Sequence, residues 1–118
     1  MTFESQILLD ASEGQICVRC GNHEGVVGCH YTGMRRLAYG GGFGRKVHDF
    51  LTADLCPACH RFMDTLSRDK ATSYVHIELF LHFIVLTIER RFVQGVVIVR
   101  GQREPRPHKI PKILPRRI

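Results

Sequence analysis

Cys56-Pro57-Ala58-Cys59-His60-Arg61-Phe62-Met63-Asp64 gathers two thiols, an imidazole and a carboxylate into one short run. Cysteines separated by two residues let two thiolates reach one metal ion from a tight turn. That supplies half of a tetrahedral site. The other half is Cys17-Val18-Arg19-Cys20, separated from Cys56 by 35 residues. If a helix starts near Cys59, His60 and Asp64 stand at i and i+4 on one face. A second metal site of different chemistry can then lie beside the first.

Outward from this stretch, the chain has 118 residues, 44% of them hydrophobic and 24% charged. That suits a single soluble domain with a modest core, which gains from a metal staple. Met1 to Ser12 lacks the basic start and apolar run of a secretory leader and carries Glu4 and Asp10. The longest apolar run, Leu79 to Leu86, is broken by His82 and falls short of the ~20 residues a membrane span needs. The expected location is a reducing cytoplasm, where five cysteines read as metal ligands before disulfides.

The net charge of +6 is concentrated at one end. From Arg100 onward seven basic residues face one acid, Glu104, while residues 1–99 carry ten of each sign. The basic residues are Arg100, Arg103, Arg106, Lys109, Lys112, Arg116 and Arg117, spaced by Pro105, Pro107, Pro111 and Pro115. Prolines at that spacing forbid a helix and favour an extended arm. A basic arm on a neutral body points to a polyanion, nucleic acid first, although such a terminus can also serve only solubility.

The expected organisation is one α+β domain over residues 1–99, with its motif core at 17–67, and a basic tail at 100–118. Residues 1–16 offer only the short apolar stretch Ile7-Leu8-Leu9, and no function is assigned to them. A strand carrying His30 is expected within 24–32. The glycine-rich 33–46 stretch, with Arg35, Arg36, Arg45 and Lys46, reads as a mobile basic loop. A second strand is expected at about 48–55 and a helix at about 59–67. A longer helix follows at about 73–92, apolar on nearly all sides and so suited to a core or a homodimer contact. Gly95 ends it, and Val96 to Val99 reads as a short strand.

The paired Cys17/Cys20 and Cys56/Cys59 knuckles read as one closed, structural zinc site of four thiolates. Cys56-x2-Cys59-His60 also matches the covalent haem motif, and Cys-Pro-x-Cys matches redox dithiols. The first needs an export route and leaves Cys17 and Cys20 unexplained; the second lacks a βαβ context.

A strand-borne histidine, a second strand, a thiolate knuckle and then a helix bearing His60 and Asp64 follow one another in the order of a ββα-metal core. In these motifs the sequence resembles the HNH (His-Me finger) endonucleases, in their small zinc-stapled form found in lambdoid phage and prophage recombination regions. The resembling segments are Cys17-x2-Cys20, Gly28-Cys29-His30-Tyr31-Thr32-Gly33, Lys46-Val47-His48-Asp49 and Cys56-x2-Cys59-His60-x3-Asp64. They span residues 17 to 64, less than half the chain. The resemblance implies a metal-dependent endonuclease, a phosphodiester hydrolase acting on phage recombination or replication intermediates, branched DNA among them, in the bacterial host cytoplasm.

Each residue type has a chemical reason to be there. Phosphodiester hydrolysis needs a water, a base and a cation on the phosphate and leaving oxygen. Histidine as a residue type titrates near pH ~6.5, so His30 is the candidate base. His60 and Asp64 would hold one divalent ion, Mg2+ or Mn2+. Arg35, Arg36, Arg45, Lys46 and the terminal arm would meet the DNA backbone. Two positions depart from the family. Cys29 stands where an Asp or His ligand usually precedes the catalytic histidine. The Asn that orients the base falls at Leu51 by spacing, with His48 and Asp49 the nearest replacements and Asp49 preferred. The alternatives are a non-catalytic zinc-knuckle DNA-binding module and a dimeric adaptor organised by the 73–92 helix.

Overall fold

In a computed structural model, the described residues are 2–33, 35–68, 71 and 73–101. Five regular elements other than a 3-10 turn occur among them: α1 (Gln6–Asp10), β1 (Val27–His30), β2 (Thr52–Leu55), α2 (Pro57–Arg68) and α3 (Ser73–Val93). The chain is therefore a small α+β structure. Its two strands form an antiparallel pair with Gly28 opposite Asp54 and His30 opposite Thr52. The basic arm beyond Gly101, with Arg103, Arg106, Lys109, Lys112, Arg116 and Arg117, lies outside the described residues.

β2 is the axis of the fold, buried along its whole length. One side pairs with β1; on the other, no third strand among the described residues receives its backbone groups. Other partners satisfy them. Val18 N donates to Asp54 O at 2.9 Å, and Asp54 N donates to Thr87 Oγ1 at 2.9 Å. A sheet edge left bare would cost about 1–3 kcal/mol per buried group; here the first cysteine knuckle and α3 close it.

α2 starts one residue after Cys56, with Pro57 at its first position, where a missing N–H costs nothing. Its inner face buries Cys59 and Met63 against Phe80, Phe83 and Ile84 of α3. Tyr31, just beyond β1, stands edge-on to Phe80 at 5.8 Å between ring centroids.

α3 occupies the region where a helix is expected, yet it is not a uniformly apolar rod. Its sheet-facing side buries Thr87, Arg90 and Arg91 beside Phe83 and Ile84, while Tyr74, Leu81, Val85 and Phe92 are exposed. Arg90 Nη1 pairs with Asp54 Oδ2 at 2.9 Å and donates to Ile16 O at 2.8 Å. Arg91 Nη2 donates to Thr52 Oγ1 at 2.7 Å and to Leu8 O at 3.3 Å. Thr52 and Asp54 share a strand face, so adjacent arginines on one helical turn reach both. No helix among the described residues is long and apolar enough to cross a membrane.

The expected strand at 96–99 does not form. Gly95 takes φ 73°, and the amides of Val96 and Val97 both return to Arg91 O, at 2.9 and 3.2 Å. These bonds satisfy the end of α3 and remove the donors a strand would need. The described part of the 33–46 stretch also has local structure. It contains a 3-10 turn at Arg36–Tyr39 and a bridge between Gly42 and Arg45.

Candidate metal centre and histidine cleft

The two knuckles converge. The four Sγ atoms of Cys17, Cys20, Cys56 and Cys59 lie within 4.8 Å of one another, and every cysteine in the chain is a free thiol. Cys20 Sγ and Cys56 Sγ are 3.6 Å apart, close to the ~3.8 Å edge of a tetrahedron with a sulfur-to-centre distance of ~2.3 Å. Such a group could hold a metal ion such as zinc.

Local backbone makes the first knuckle. Cys17 N donates to Asn22 O at 2.7 Å and Gly21 N to Cys17 O at 2.9 Å, with Gly21 at φ 82°. Asn22 N donates to Cys20 Sγ at 3.4 Å. Arg19 Nη1 donates to Cys59 Sγ at 3.4 Å, while its guanidinium lies 3.7 Å over the Phe62 ring. A positive group on the sulfur eases the crowding of four potential anions.

The thiols influence one another. Burial raises the Cys56 pKa, but hydrogen bonds from Cys59, Cys20 and Cys17 outweigh it and bring the thiol down to about 7. Cys59 and Cys20 are held above the ordinary thiol range, burial being the largest cause for both. Thiols at such close quarters do not all ionise alone, and a bound cation reverses that balance.

On the other side of the strand pair, His30 ends β1 and Asp49 sits in the turn before β2. His30 Nε2 lies 2.8 Å from Asp49 Oδ1, and each side chain is 11% exposed. The second carboxylate oxygen accepts from Ser5 N at 2.6 Å. Backbone bonds fix the turn: Asp49 N donates to Phe3 O at 2.9 Å, and Thr52 Oγ1 to Asp49 O at 3.1 Å. Burial raises the Asp49 pKa, but the bonds from His30 and Ser5, with the charges of His30 and Lys46, hold it below the ordinary carboxylate value. Asp49 is thus a carboxylate at neutral pH and can only accept. His30 Nε2 must then carry the proton of that bond, and in the neutral ring the lone pair lies on Nδ1.

Of the two neighbouring candidates, Asp49 is the one that meets His30. His48 turns toward the N-terminal segment, where its Nδ1 accepts from Phe3 N at 2.9 Å, and its ring stacks on Phe50 at 5.0 Å. Cys29 points into the core. Burial, reinforced by Asp64, Cys17, Asp54 and Cys56, pushes its thiol up to about 12, so it is a buried neutral thiol rather than a ready ligand for a hard cation.

His30 lines two adjoining clefts. One, of about 550 Å³, is shared with Ser5, Arg45, Lys46 and Asp49. The other, of about 460 Å³, runs past Gly28 and Lys46 to His60. His60 Nε2 and Asp64 Oδ2 are 3.9 Å apart and about half exposed, at 48% and 47%. Among the described residues, the four cysteines alone form a group of three or more closely spaced metal-ligating side chains. Arg35, Arg36, Arg45, Lys46 and Arg100 are all exposed; Arg45 and Lys46 are the two that line a cleft with His30.

Sequence reasoning left out the N-terminal segment, whose backbone holds both His48 and Asp49. Ser5 ahead of an apolar run is an N-cap signal, and it does cap α1 through Leu8 N at 3.3 Å. No sequence signal says where that helix docks. No family model, curated protein or solved structure matches the chain.

Proposed function

We propose that this protein is a metal-dependent DNA endonuclease of the HNH type, with His30 as general base and Asp49 as the residue that orients it. The observation that carries the reading is the 2.8 Å contact between His30 Nε2 and Asp49 Oδ1 on a cleft that continues to His60. The strand, strand, helix order around it agrees with the resemblance in the sequence. So does the four-cysteine group, for which zinc in a purely structural role is the natural occupant.

In this reading Nδ1 of His30 takes a proton from water as the water oxygen bonds to phosphorus and the leaving oxygen departs. Asp49 stabilises the imidazolium and keeps the ring in the tautomer that presents Nδ1. His60 and Asp64 would hold the divalent ion, Mg2+ or Mn2+, which when bound offsets charge on the phosphate and leaving oxygen. Two half-exposed ligands suit such an ion, which keeps waters and takes its remaining oxygens from substrate. Lys46 and Arg45, beside His30, would carry the flanking phosphates, joined by Arg35, Arg36 and the terminal arm. A second copy of the chain would pack on the exposed stripe of α3.

The test is incubation with supercoiled, linear and branched DNA in Mg2+ or Mn2+. Metal-dependent nicked or cut product is the expected result. DNA binding with no cleavage of any of the three would instead favour a zinc-knuckle binding module without catalysis.

A further inference from the structure

The tip of the glycine-rich loop carries an aromatic ring that none of the described residues covers. Phe43 is 108% exposed, so no other described residue packs on it. The backbone beneath it is nonetheless fixed. Gly42 N donates to Arg45 O at 3.1 Å and Arg45 N to Gly42 O at 3.2 Å. Gly44 at φ 69° occupies the turn position that favours a residue without a Cβ. A two-residue loop closed by reciprocal bonds holds its corner side chain outward, so the ring is presented at little further ordering cost.

The location gives the ring a partner. The next three residues, Gly44, Arg45 and Lys46, form part of the wall of the cleft that holds His30 and Asp49. Arg45 and Lys46 are exposed cations directly after it. An exposed apolar ring with two exposed cations just C-terminal to it matches a polyanion that also offers flat π faces, which is a nucleic acid strand. In a paired duplex those faces are covered by their neighbours. They become available where bases are unpaired, at a gap, a flap or a junction.

We propose that Phe43 is a base-stacking contact that selects DNA with unstacked bases and sets it against the His30 cleft. This rests on the endonuclease reading for its choice of ligand and extends it to substrate class. Phosphates would be held by Arg45 and Lys46, and one base would lie on the ring. Because the ring packs on none of the described residues, its removal costs the fold little, and the variants can be compared as folded proteins.

The experiment measures binding, without relying on cleavage. Fluorescence anisotropy would follow the full chain, as wild type, F43A and F43W, on labelled single-stranded, gapped and intact duplex oligonucleotides over a range of salt. F43A should bind single-stranded and gapped DNA about tenfold more weakly, near the lower end of what one stacked base contributes. Its salt slope should match wild type, since no phosphate contact is lost. F43W should restore affinity. The chain contains no tryptophan, so the emission of F43W reports on that position alone and should be quenched by either DNA. Unchanged affinity in F43A, or unquenched F43W emission at saturating DNA, would overturn the inference while leaving the endonuclease reading intact. Stacking by Phe43 in a protein that cuts nothing would uphold the inference and remove the hydrolase. Wild type that binds no DNA would end both.

Discussion

At the scale of single residues, Asp49 connects the most parts of the site. One oxygen faces His30, the other receives the Ser5 amide, and its own amide reaches Phe3. Its carboxyl is held below the ordinary value by those bonds, against the opposing effect of burial. A depressed folded pKa means stabilisation that exists above the unfolded carboxylate's pKa of ~3.9 and fades as pH falls through the lower folded value. D49N should therefore be less stable than wild type at pH 7, by about 1.5–3 kcal/mol for charged hydrogen bonds. The gap should close below pH ~4. Thermal melts of both proteins from pH 2 to 8 check this, and a gap independent of pH would contradict the linkage.

At the scale of elements, the fold turns on how α3 seals β2. Thr87 donates to Phe83 O and receives Asp54 N, both at 2.9 Å. T87V keeps the shape but leaves a buried amide without an acceptor. It should destabilise the protein by about 1–3 kcal/mol, and T87S by clearly less. Urea unfolding of the three proteins tests this; equal loss in T87V and T87S would assign the effect to packing. The helix itself was legible from its apolar content, and its observed span, Ser73–Val93, lies within a residue of the expected 73–92. Its orientation was not. Arg90 and Arg91 read as ordinary cations in a last turn, and only the packed structure turns them inward to Asp54, Thr52 and two backbone carbonyls. Val96 to Val99 misled for a related reason, because β-branched residues favour strands only where a partner strand is free.

Across the whole molecule, the four-cysteine group joins pieces far apart in sequence. The first knuckle is bonded to β2 through Val18, and the second opens α2. Removing a metal from it should unfasten both at once. The purified protein should contain about one zinc per chain. Chelation should lower the melting temperature sharply and reduce helical circular dichroism, with recovery on Zn2+ but not on Mg2+. Acidification should release the metal as the thiolates take up protons. C20S, at the exposed corner, should bind zinc more weakly while still folding when zinc is in excess. This site was legible in the sequence because cysteine spacing alone specifies it. The histidine cleft was legible only in part. His30 and Asp49 are 19 residues apart, and their meeting depends on strand register and on an N-terminal clasp of backbone groups that carries no side-chain signature.

The most direct measurement is the single-turnover nicking rate of supercoiled plasmid in Mg2+ or Mn2+. Wild type and H30A would be compared at matched zinc content and matched DNA affinity. Loss of a general base predicts a rate at least ~100-fold lower in H30A, with binding and zinc unchanged. Equal rates, or no nicking by either protein, would contradict the assignment of His30 as the base.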